Sequence, residues 1–231
     1  MHVAEPIPKY QTLRLPRTFS KRAELPDEIS LSATFNEYVE LVHTCDYRIQ
    51  YSHGSIYSFI ETDLKTNTTM GEAAPIHEQI NNRLIRLLGV LLDEGNSEFI
   101  SYGSNIKIFI AENQGSYNPD CTFVKGKPEF ITYKPFKKKL TSLVNPYIVV
   151  EVLSDGTRGF DLSEKLSDYQ SIDSLQQIIY VEPNEIFVST YMRSIDGNWQ
   201  KTDFKNDTDS LPIVDKGVIR INDIYKNVIR F

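Results

Sequence analysis

Apolar residues recur at helical spacing in three stretches of the chain and at strand spacing in many more. Phe35, Tyr38, Val39 and Val42 fall on one side of a helix, and Thr34-x-x-Glu37 ahead of them is a capping box that fixes its start. After Pro75, Ile76, Ile80, Leu84, Leu87, Leu88 and Leu91 trace the clearest amphipathic helix. A third helix is expected to begin with Asp161 as cap and Glu164 at the capping-box position. It would bury Leu162, Leu166 and Tyr169 and turn Ser163, Glu164, Ser167 and Asp168 outward. Alternation across Tyr47–Ile60, centred on His53-Gly54, predicts a hairpin. Glu98–Tyr102, Ile106–Ile110 with Lys107 at its polar position, and Asp120–Val124 read as strands. Tyr147–Leu153 is almost uninterrupted in its apolarity, the pattern of a central strand covered on both faces, and Gln177–Val181 is a second such run. Glu185–Met192, Trp199–Phe204 and Val218–Ile221 add strands near the end, with a turn at Asp196-Gly197. Asp63–Ala74 reads as a loop and residues 125–145 as a lysine-rich excursion. Residues 1–30, with four prolines and no apolar period, read as an N-terminal arm, and 31–231 as a single domain. The order of helix, strands, helix and strand gives an α/β (α+β) class with a hairpin before it and strands after it.

Composition narrows the class. With 231 residues, 40% of them hydrophobic, the chain can bury a core of ordinary size, which excludes general disorder. No apolar run approaches the length of a membrane span, and the first ten residues hold Glu5 and two prolines in place of an export signal. Cys45 and Cys121 form no CxxC pair, which predicts a reducing, cytoplasmic setting without a disulfide framework or zinc site. The net charge of −6 is uneven. Five basic residues against Glu5 put +4 on residues 1–22, and six lysines against Glu129 put +5 on residues 125–139. An acidic body with two basic segments is not a general nucleic-acid sponge, although either segment can meet phosphate locally or simply be solvated.

The chemistry concentrates at three residues. Glu151 interrupts the apolar run Ile148–Leu153, where an isolated carboxylate is costly unless paired, protonated or bound to metal. It shares a face with Val149 and Leu153, and two readings are open: a structural ion-pair member or a ligand. Asp120 follows Pro119 at the head of a short strand, as a turn residue or as a second oxygen ligand beside Glu151. Two carboxylates with water positions left over suit magnesium or manganese. Lys165 falls on the inward side of its helix, either snorkelling to water or facing an anion.

In this order the residues resemble the Uma-two family of endonucleases, a branch of the PD-(D/E)XK restriction-endonuclease-like superfamily. The carrying segments are NPDCTFVKGKPEF (118–130), NPYIVVEVLS (145–154), DLSEKLSDY (161–169) and SLQQIIYVEP (174–183), with further likeness at the hairpin, at His77 and over 211–225. The resemblance implies a mixed central sheet flanked by helices, with Asp120 and Glu151 as metal-holding acids and Lys165 as the catalytic lysine. That lysine usually stands two residues after the second acid, where this chain has Leu153. The resemblance further implies a magnesium or manganese cofactor, DNA as partner and no membrane, and a homodimer is entertained. Second-layer roles fall to His77, Glu78 and Tyr169, and Lys134, Lys137, Lys138 and Lys139 would track the DNA backbone beside the cleft. Gln50, Ser55 and Asn105 stand where the family often has acids. Those substitutions keep open a nuclease-fold protein that binds nucleic acid or a partner without cutting. A glycosidase with paired carboxylates gives Lys165 no role.

Overall fold

The computed structural model describes residues 15–63, 68–70, 75–93, 98–134 and 139–228. The chain begins with α1 (Phe19–Arg22), β1 (Glu28–Ser32) and α2 (Phe35–Leu41), followed by β2 (Gln50–Ser52) and β3 (Ser55–Phe59). A short pair, β4 (Glu61–Asp63) and β5 (Thr68–Met70), precedes the long α3 (Pro75–Asp93). Then come β6 (Phe99–Gly103), β7 (Ile108–Ile110), β8 (Gly115–Tyr117), β9 (Cys121–Lys125), β10 (Phe130–Tyr133), β11 (Leu140–Leu143) and β12 (Ile148–Val152). Helices α4 (Arg158–Leu162) and α5 (Glu164–Ser171) lead to β13 (Gln177–Val181), β14 (Val188–Arg193), β15 (Trp199–Phe204), β16 (Ser210–Pro212), β17 (Val218–Arg220) and α6 (Ile221–Tyr225).

Two mixed sheets carry the fold. The larger runs β1-β3-β2-β8-β7-β11-β10 and is antiparallel except where β11 meets β7. The other runs β15-β14-β13-β12-β9-β6, with β12 and β13 parallel across the α4–α5 crossover and the remaining pairs antiparallel. Both β12 and β13 are buried along their whole length, as the two apolar runs predict. Alternation sends Ile148, Val150 and Val152 to a core shared with Leu84 and Leu88 of α3 and Ile224 of α6. Val149 and Leu153 go to the opposite core, with Tyr169, Phe160 and the Ile108, Ile110 and Tyr117 side chains of the larger sheet. The layers are therefore α3 with α6, the six-stranded sheet, α4–α5 with the seven-stranded sheet, and α2 outside. This is the mixed sheet flanked by helices of the restriction-endonuclease-like class. Among the described residues no helix is long and apolar enough to cross a membrane.

Local signals account for much of this. The capping box is formed at both ends, Glu37 N–H reaching Thr34 Oγ1 and Thr34 N–H reaching the Glu37 carboxylate at 2.7 Å. His53 and Gly54 take φ of 46° and 77°, the left-handed pair that a two-residue hairpin turn requires. Residues 15–30, read as arm, carry α1 and most of β1, which pairs with β3 from Glu28↔Phe59 to Ser32↔Ser55. Arg22 ties this segment down, buried and donating to Ser58 and to the carbonyls of Pro26 and Asp27. The strand β8 has no clear apolar alternation and escapes the sequence pattern. The excursion over 125–145 contains the hairpin β10–β11, and the loop read over Asp63–Ala74 contains parts of β4 and β5, with 64–67 and 71–74 outside the described residues.

Candidate active site

Glu151 sits within β12 and Asp120 immediately precedes β9. These strands pair antiparallel, Val150 opposite Cys121, and the register carried one step further sets Asp120 opposite Glu151. The inward alternation of β12 then commits Glu151 to the interior beside α5, where it is 3% exposed. Lys165, in the first turn of α5 and 2% exposed, places Nζ 2.8 Å from Glu151 Oε1 and 3.0 Å from Asp161 Oδ1. Tyr169, one helical turn further, donates its hydroxyl to the same Glu151 Oε1 at 2.7 Å. On the other carboxylate, Asp120 Oδ2 accepts the Val152 N–H at 2.8 Å and lies 3.1 Å from His77 Nε2 at the start of α3. Asn81, one turn along α3, donates to the Asp120 carbonyl. Asp120, Glu151, Lys165 and His77 line one cleft together with Asp161, Gln50, Arg48 and Asn118.

Electrostatics make this cleft short of positive charge. Burial pushes the Glu151 carboxyl up to about 8; Lys165 pulls against that rise, while the charges of Asp161 and Asp120 add to it. Burial acts to strip the Lys165 proton, but Asp161 and Glu151 overcome it and hold the ammonium above the ordinary lysine range. Burial, reinforced by Glu151, likewise keeps the Tyr169 hydroxyl protonated far above its usual range. Two acidic side chains, Glu151 and Asp161, thus face one buried lysine, and Asp120 stands beside His77.

A divalent cation fits the donor set. Asp120 Oδ1 and Glu151 Oε2 take no part in the hydrogen bonds and ion pairs above, so each acid keeps one hard oxygen. Gln50 also lines the cleft, and its Oε1 is buried without a hydrogen-bond partner. Among the described residues there is no group of three His, Cys, Asp or Glu side chains arranged to hold a metal. An ion here would lean on two carboxylates and water, the habit of magnesium.

The structure also departs from the sequence expectations. Asp161 is not a cap: α4 starts at Arg158, and Asp161 is buried, held by Thr157 Oγ1 at 2.5 Å and by Lys165. Sequence reasoning missed it as a site residue, although its i,i+4 spacing to Lys165 was the available signal. The helix breaks at Ser163, whose φ of −118° and ψ of −92° are not helical, and Leu162 is left 39% exposed instead of buried. Asp168, expected to point outward, is buried and accepts from Ser52, His53 and Tyr117. Glu78 is exposed, 3.9 Å from His77, and does not line the cleft. Lys134 and Lys139 are exposed beside the edge hairpin β10–β11 and do not line it either, while Lys137 and Lys138 lie outside the described residues. Lys107 turns inward, donating to the Ile49 carbonyl and Asn118 Oδ1, and burial lowers its pKa to about 7 with help from Arg48 and Lys165.

A mixed sheet flanked by helices, with Glu151 on β12, Asp120 just ahead of β9 and Lys165 on α5 lining one cleft, has the architecture of the restriction-endonuclease-like class. The chain belongs to the Uma2 family: the family model, described as "Putative restriction endonuclease", matches residues 35–217. Two relatives are uncharacterized proteins of Synechocystis sp.. One is 27% identical over 145 residues, covering 60% of this chain and 78% of its own; the other is 28% identical over 164 residues, covering 71% and 75%. The family description implies a nucleic-acid substrate.

Proposed function

We propose that the protein is a metal-dependent nuclease that hydrolyses DNA phosphodiester bonds. The observation that carries this reading is the convergence of Asp120, Glu151 and Lys165 in one cleft, with Lys165 Nζ 2.8 Å from Glu151. Asp120 and Glu151 are the residues that would hold magnesium or manganese. When bound, the ion supplies Lewis acidity and a water of lowered pKa. The chain's own groups do the positioning. Val152 N–H and His77 fix Asp120 through Oδ2, and Tyr169 and Lys165 fix Glu151 through Oε1, which leaves the second oxygen of each acid out of these contacts. Lys165, kept charged by Asp161, presents an ammonium to the negative charge that builds on the phosphate. Lys134 and Lys139 would meet DNA only beyond the cleft, along a longer stretch of backbone.

The test is calorimetric titration of manganese into wild type, Glu151→Gln and Lys165→Met, with plasmid cleavage in parallel. Glu151→Gln should lose both metal binding and cleavage. Lys165→Met should bind metal and cleave about 10²–10³-fold more slowly, the usual cost of one preorganised donor. A wild type that binds DNA but neither binds metal nor cuts favours the non-cleaving reading, for which Gln50, Ser55 and Asn105 are the sequence argument.

A further inference from the structure

Part of the cleft lining is aromatic. Tyr57 and Phe59 alternate onto one face of β3, and their rings lie 6.4 Å apart and 9° from parallel. Phe160 backs both, at 4.6 Å from Tyr57 and 5.1 Å from Phe59. Both rings are only half-buried, and both line the cleft with Asp120, Glu151 and Lys165. Tyr47 and Phe19 also line the cleft, and the Tyr47 hydroxyl donates to the Pro16 carbonyl. Arg48 stands exposed among them, one guanidinium nitrogen 3.0 Å from Ser104 Oγ.

Near-parallel, half-buried aromatic rings beside a cation, in the same cleft as the two acids and the lysine, are suited to contact with the face of a nucleobase. In an intact duplex both base faces are covered by neighbouring pairs, so an unpaired base is the one with a face free to meet these rings. Resting on the nuclease reading, we propose a narrower substrate class: DNA in which the base beside the reacting phosphate is unpaired and stacks on Tyr57 and Phe59, with Arg48 on the adjoining backbone phosphate.

The experiment is equilibrium binding by fluorescence anisotropy in calcium buffer, using a short single strand, the same strand with abasic sites at its centre, and its perfect duplex. Wild type should bind the intact strand about 5–150-fold more tightly than the abasic strand, the range expected for one stacked base, and more tightly than the duplex. Tyr57→Leu and Phe59→Leu, which keep apolar contact with Phe160, should bind intact and abasic strands alike. A 2-aminopurine in the intact strand should be quenched by wild type and not by either variant. Equal binding of intact and abasic strands by wild type, or a preference for duplex, overturns the stacking wall while leaving the nuclease reading in place. Failure to bind any DNA would remove the nuclease reading as well. The wild-type comparison decides even where a leucine variant does not fold.

Discussion

Glu151 is the residue on which sequence and structure agree most closely, because a carboxylate inside an apolar strand has few places to go. Its raised pKa makes a pH prediction with a definite sign. The unfolded chain ionises Glu151 near 4.5, whereas the metal-free folded protein keeps the proton until about 8. The folded state therefore binds more protons across that window, and the contribution to stability, full below pH 4.5, is lost as pH rises toward 8. Lys165 is protonated in both states throughout, so it adds no slope there. Urea midpoints of wild type and Glu151→Gln should diverge as pH rises from about 5 to about 8, wild type falling relative to the variant. Parallel midpoints would mean that Glu151 is ionised at neutral pH. The alternation of β12 made the direction of Glu151 legible, but its partners were not. Asp161 lies ten residues away in sequence, on the far side of a crossover.

At the scale of the element, the α4–α5 break and the buried Asp168 decide how the hairpin wall stands against the acid sheet. Asp168 accepts from Ser52 at 3.1 Å and His53 at 3.0 Å, both at the β2–β3 turn, and from Tyr117 at the end of β8. One carboxylate on α5 thereby pins two strands of the other sheet. Asp168→Ala leaves buried donors unsatisfied and should cost about 2–4 kcal/mol, seen as a lower denaturation midpoint with unchanged m. Tyr117→Phe removes one donor and should cost about 1 kcal/mol. An Asp168→Ala loss within about 0.5 kcal/mol, typical of exposed sites, would show that the tie carries no stability. A straight helical wheel turns Asp168 outward. The break at Ser163 and the strand pair at the turn both lie outside what periodicity records, so periodicity alone misplaces this side chain. The capping box and the His53-Gly54 turn were legible because their chemistry is confined to four residues.

For the whole molecule, the cleft gathers residues from both sheets and from α4 and α5: Glu151 from one sheet, Tyr57 and Phe59 from the other, Asp161 and Lys165 from the helices. On the proposed reading, a cation held by Asp120 and Glu151 would bind the folded chain alone and should stabilise wild type by about 2.7 kcal/mol at a hundredfold excess over Kd. Scanning calorimetry should then show a rise of several degrees in Tm that Glu151→Gln lacks. The edge hairpin gives a second prediction. Lys134→Ala with Lys139→Ala should reduce the salt slope for a long duplex by about 0.9 for each phosphate no longer neutralised, and leave that of a short strand confined to the cleft unchanged. Equal slopes on the long duplex would mean that these lysines are merely solvated. The sequence by itself determined the buried strands, the inward face of Glu151 and the inward side of Lys165 on a helix, because each follows from a period of two or 3.6. Only the tertiary structure decided that Asp161 completes the acid group, that Asp168 clamps the hairpin, that the edge lysines stand away from the cleft and that Tyr57 and Phe59 face it. Apart from the i,i+4 step from Asp161 to Lys165, those contacts join residues far apart along the chain.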